Sequence, residues 1–156
     1  MKIKILSMLA VFGILLAASP LSAETIGSVI TQKNFVGANA TIQVEAFDDP
    51  QIKNVVCYLS YPQTGGLAAS VGLAENKSNG SIACRSTGPI DLAQVQQVAT
   101  HPVEVFRHSS NIFFKAMRVM RFWDTKRNVL VYLTYSKKLF DGSPKNSVSV
   151  VVIPRQ

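Results

Sequence analysis

Polar and apolar positions divide the chain into one long apolar run followed by many short ones. From Ile5 to Ala18 only Ser7 and Gly13 interrupt the apolar character. Thr41–Phe47 then alternates as a half-buried strand does, with Ile42, Val44 and Ala46 on one side. Asp48-Asp49-Pro50 ends it, because proline cannot continue a ladder and aspartate favours turns. Val55–Ser60 reads as a second strand, leading into a loop with Pro62, Gly65, Gly66 and Gly72, and Ser81–Arg85 as a short third one. Gly88-Pro89 opens the best helical segment, Asp91 to Val98, with Asp91 as its cap and Leu92, Val95 and Val98 toward the core. His101-Pro102 ends that segment, and Val103–Phe106 returns to strand character.

Ile112–Trp123 admits two readings. Lys115, Arg118 and Arg121 recur every three residues, which suits a helical stripe. Yet no glycine or cap separates this run from Asp124–Asn128, a turn, and the β-rich Val129–Ser136 beyond, which favours a hairpin. Ser147–Ile153 alternates Ser147 and Ser149 with Val148 and Val150 and is expected to close the sheet. The balance predicts a mainly β (α+β) fold for residues 24–156. It is a single small domain, a curved antiparallel sheet or partial barrel with one or two short helices.

The long apolar run changes the picture of where this domain works. Lys2 and Lys4 precede it, Pro20 breaks it, and Ser22-Ala23 offers small residues before Glu24. That is the layout of a cleavable export signal, residues 1–23, although Leu21 is bulky for the third position before the cut. The run falls short of the ~20 apolar residues a spanning helix needs, so an integral membrane protein is not expected. The periplasm is the expected location.

An oxidising compartment gives meaning to Cys57 and Cys84, the only cysteines. An isolated pair in an exported chain reads as a disulfide, worth about 3–4 kcal/mol on the chain-entropy estimate. A metal site would want more ligands than lie nearby, and the spacing is unlike a Cys-x-x-Cys redox pair. No metal and no cofactor is expected.

Net charge is +7, falling to +5 once Lys2 and Lys4 leave with the signal. From His101 onward the chain carries ten basic and three acidic residues; between Glu24 and Thr100 it carries four and six. Lys115, Arg118, Arg121, Lys126 and Arg127 lie among Phe113, Phe114, Phe122 and Trp123, with Tyr132, Tyr135, Lys137 and Lys138 close behind. Cations among aromatics form a candidate anion-binding surface for an anionic envelope component. The alternative is a hairpin whose aromatics are core and whose cations are a solvated edge. If Arg121, Lys126 and Arg127 project together at the turn, their fields add.

Signatures of catalysis are weak. Asp48 and Asp49 are adjacent, so on a strand they point to opposite faces and cannot flank one bond. His101 and His108 have only Glu104 as a nearby carboxylate, Gly65-Gly66 lacks a following P-loop lysine, and Ser143 sits in a turn composition. A site assembled from scattered polar residues is the enzyme alternative to a binding or interaction protein.

Phrases running through almost the whole mature chain carry a resemblance. They are Val44-Glu-Ala-Phe-Asp-Asp-Pro50, Lys53-Asn-Val-Val-Cys-Tyr58, Thr64-Gly-Gly66 and Gly72-Leu-Ala-Glu75. Gly88-Pro-Ile90, Arg121-Phe-Trp-Asp-Thr-Lys-Arg-Asn128 and Gly142-Ser-Pro-Lys-Asn146 follow in order. The sequence resembles the CreA family (catabolite regulation protein A) of small exported bacterial proteins. That resemblance implies export, one domain and a link to envelope or catabolite-related regulation. It carries over no catalytic residue. The expectation is a non-enzymatic protein that meets either an anionic envelope component or a periplasmic protein partner, with nothing pointing to specific nucleic-acid binding.

Overall fold

The computed structural model describes residues 23–37, 39–63, 80–108, 117–136 and 145–154. The leader, the glycine loop with Gly65, Gly66 and Gly72, Phe113 to Lys115, Lys137, Lys138 and Ser143 lie outside the described residues. Strands β1 (Glu24–Gln32), β2 (Ala40–Asp48), β3 (Val55–Gln63) and β4 (Ser81–Ser86) form one antiparallel sheet in that order. Helix α1 (Leu92–Val98) leads to a second antiparallel sheet of β5 (Val103–His108), β6 (Met117–Asp124), β7 (Val129–Ser136) and β8 (Asn146–Val152). The fold is mainly β, a single small domain with one short helix among the described residues, and its sheets do not close.

Local chemistry sets the turns. Asp91 caps α1 by accepting from the Ala93 N–H at 2.9 Å, and Val95 on its inner side is fully buried. The β6–β7 hairpin forms where the alternating pattern predicts it, with no helix in Met117–Trp123. Asn128 ends its turn at φ 56°, a left-handed conformation that asparagine tolerates. Its side chain donates to the Ile153 carbonyl at 3.0 Å, which anchors the end of β8.

Buried residues of both sheets form one core, and Phe47 of β2 stacks on Phe106 of β5 with centroids 4.2 Å apart. Cys57 and Cys84 sit opposite each other on β3 and β4, with sulfurs 2.08 Å apart, as a disulfide joining adjacent strands. The sheets also meet along β4 and β8. There the Cys84 N–H donates to Ser149 Oγ at 2.8 Å and the Ile82 N–H to Ser147 Oγ at 3.5 Å. Ser147 and Ser149 therefore point inward, Val148, Val150 and Val152 face out, and Val151 joins the core.

Two details differ from the pattern in the sequence. Strand β1 is added to the edge of the first sheet, where almost all of it is exposed. On β2 the deeply buried residue is Phe47, while Ile42 is 42 % exposed. Register explains this: Glu45 and Phe47 lie opposite Leu59 and Cys57 on the buried side of β3, and the Tyr61 hydroxyl donates to Glu45 at 2.6 Å. A charged residue thus occupies the inward side that alternation alone would assign to the apolar set.

Candidate functional site

Of the five cations singled out in the sequence, Arg118, Arg121, Lys126 and Arg127 are described, and Arg121 stands apart from the other three. Arg121 stands on the inward side of β6, opposite Tyr132 on β7, and is completely buried. Its Nη1 donates to both oxygens of Asp49, at 2.6 and 2.9 Å, and its Nη2 donates to Gln51 Oε1 and to the Val98 carbonyl at the end of α1. Asp49 also accepts from the Tyr132 hydroxyl at 2.8 Å and from the Gln51 and Ile52 N–H groups at 2.9 Å. The Asp48-Asp49-Pro50 turn therefore supplies a folded cradle, with Asp48 exposed and Asp49 inside.

Both charges of this pair have fully buried side chains. Their hydrogen bonds tie the first sheet's turn, the helix end and the second sheet to one point, and the guanidinium satisfies a helix-terminal carbonyl. Burial, then the Asp49 carboxylate, pushes the Tyr132 phenol well above its ordinary range, so it remains a neutral donor. Arg121, Asp49 and Tyr132 are all buried and only Gln51 reaches the surface, so the cluster holds the fold together. Arg121 does not project with Lys126 and Arg127.

Arg118 and Arg127 do reach the surface, each with a carboxylate of its own. Arg118 Nη1 contacts Glu104 Oε2 at 2.9 Å, and Arg107 Nε contacts Glu104 Oε1 at 2.7 Å. The Arg107 hydrogen bond is the main cause that holds the Glu104 carboxyl below its usual range. Arg127 Nη1 pairs with Asp124 Oδ2 at 2.8 Å inside the turn, and its backbone N–H donates to Asp124 Oδ1. Lys126 is exposed beside it, and Lys115 lies outside the described residues.

The outward side of the second sheet is instead apolar. Cross-strand register places Met120 beside Leu133 and Val148, Phe122 beside Val131 and Val150, and Val129 beside Val152. Val148, Val150 and Val152 are 60, 56 and 63 % exposed. Charged pairs bracket this patch: Glu104, Arg107 and Arg118 at one end, Asp124 and Arg127 at the other. An open antiparallel sheet ordinarily presents polar residues on its solvent side. Here apolar residues fill the middle of the solvent side as well. The sequence signal was present in the valine–serine alternation, but alternation does not reveal which set faces in.

His101 Nδ1 lies 3.1 Å from Thr100 Oγ1 on the surface, and Glu104 is engaged by two arginines. Among the described residues, no three of His, Cys, Asp and Glu converge as metal ligands, and no helix is long and apolar enough to cross a membrane.

The family model for CreA protein matches residues 26–156, which includes both sheets, the buried ion pair and the apolar face. The chain belongs to the CreA family. It is 45 % identical over 141 residues to Protein CreA of Escherichia coli strain K12, covering 89 % of this chain and 90 % of that protein. The same identity and coverage hold for Protein CreA of Escherichia coli O157:H7. No solved structure matches the chain.

Proposed function

We propose that this CreA-family protein is exported, oxidised in the periplasm, and acts there without catalysis by holding a protein partner against the outer face of β6, β7 and β8. The observation that carries this reading is the run of exposed Val148, Val150 and Val152 beside Val129, Val131 and Leu133. A contiguous apolar patch bracketed by charge is the anatomy of a protein interface. Of the two partners the sequence suggested, the ion pairing favours the protein. Arg107, Arg118 and Arg127 already spend their charge on Glu104 and Asp124, so the bracketing residues attract a polyanion less than their number implies. The disulfide supports an oxidising compartment.

Site-specific photocrosslinking in living cells tests the reading. A photoreactive residue replacing Val150 is expected to give one discrete adduct with another protein, and one replacing exposed Thr125 none. Adding Val148→Glu should abolish the adduct while the thermal midpoint stays unchanged. No adduct from Val150, or equal adducts from both positions, would sink the proposal.

A further inference from the structure

Away from that face, a cavity of about 560 Å³ opens where the start of β2, the end of β3 and the starts of β4 and β8 converge. We propose that it binds a small organic anion with an apolar tail, of the class of medium-chain carboxylates. Its volume lies within the range of about 300–1,000 Å³ usual for small-molecule sites. Ile42, Tyr61 and Pro62 give it an apolar wall, and the Tyr61 ring is fixed because its hydroxyl is held by Glu45. Gly80 sits at its edge so close to Met117 that a Cβ would come within 2.5 Å of Met117 Sδ, so the chain there cannot carry a side chain without displacing Met117.

Three features select the anion. Lys145 lines the cavity and has no carboxylate partner among the described residues, in contrast to Arg107, Arg118, Arg121 and Arg127. Among the described residues, no acidic one contributes to the lining. Ser60, Ser81 and Ser147 also line it, and Ser147 Oγ accepts from the Ile82 N–H, which leaves its O–H to donate. The polar run continues inward, where Thr134 lies beside Ser147. A cation, neighbouring serines and an adjoining apolar wall match a carboxylate headgroup with a short alkyl chain.

Isothermal titration of the oxidised protein with octanoate, octanol, octylammonium and inorganic phosphate tests this, with amide shifts followed by NMR. Octanoate is expected to bind and to move the amides of Ser81 and Ser147. Octanol, octylammonium and phosphate should each bind at least about tenfold more weakly, since each lacks the charge, the sign or the tail. Lys145→Glu should lower octanoate affinity by about tenfold or more, and Lys126→Glu, at the distant turn, should leave it unchanged. Absence of octanoate binding, equal affinity for octanol, or insensitivity to Lys145→Glu would overturn the site. Equal binding of phosphate would overturn the role of the apolar wall.

Discussion

Arg121 and Arg127 stand six positions apart on one hairpin, each paired with an aspartate, yet they do opposite work. Arg121 is itself fully buried and held by Asp49, Gln51 and the Val98 carbonyl. Arg127 remains 72 % exposed, and water competes for every contact with Asp124. The same chemistry is thus structurally essential in one place and nearly neutral in the other. Burial, and not residue type or spacing, decides which.

The largest test of that contrast is Asp49→Ala. It strands the Arg121 cation inside the protein with only Gln51 Oε1 and the Val98 carbonyl to face it. A destabilisation of about 3–5 kcal/mol is expected from urea unfolding. The double replacement Asp49→Ala with Arg121→Met should recover part of that loss, because no charge is then left buried. A loss below about 1 kcal/mol in the single variant would show that the pair is not sealed in solution.

Next in size is the disulfide. Cys57→Ser should lower stability by about 2–5 kcal/mol relative to the oxidised protein, in the range of native staples. Urea midpoints with and without reductant measure it. Equal midpoints in both conditions would mean that the pairing of β3 with β4 needs no covalent tie.

A pH series sharpens the comparison from inside the cluster. The Tyr132 and Tyr61 phenols are both raised, in each case first by burial and then by a carboxylate, Asp49 or Glu45. The unfolded chain releases these protons near pH 10, while the folded one still holds them. Their contribution is therefore complete below about pH 10 and falls above it, by about 1.4 kcal/mol per pH unit for each phenol kept neutral. Tyr132→Phe should make that fall shallower between pH 10 and 11, measured by thermal midpoints. An unchanged slope would place Tyr132 in contact with solvent.

How far these roles were legible in the sequence follows from the range of the interactions. The β6–β7 hairpin, the Asp91 cap and the cysteine pair each rest on nearby residues or on an unambiguous partner, and each is found as read. Asp49 and Arg121 are 72 positions apart, so no spacing rule connects them. Alternation also marks a strand without naming its inner side when both sides hold apolar residues. On β8 the serines point in because Ser147 and Ser149 accept from β4 amides, an interaction that hydropathy does not encode. The three-residue spacing of the cations also suited a helix, but the hairpin favoured in the sequence is found, with Arg118 outside and Arg121 inside on β6.

The smallest expected effect belongs to Lys126→Ser with Arg127→Ser. Both side chains are exposed at the hairpin tip, and the turn geometry is held by Asp124 and Asn128, which the double variant keeps. The thermal midpoint should be indistinguishable from that of the wild type. Binding to an anionic polymer at low salt should fall only slightly. Lys126 gives up its charge there, but Arg127 already shares its own with Asp124, whose carboxyl is held below its usual range chiefly by that hydrogen bond. Polymer affinity measured at several salt concentrations for both proteins decides it. A steep loss in the double variant, with a much weaker salt dependence, would make the turn an anion site after all. It would also mean that the exposed pair opens readily to take a ligand, which the sealed pair at Arg121 cannot do.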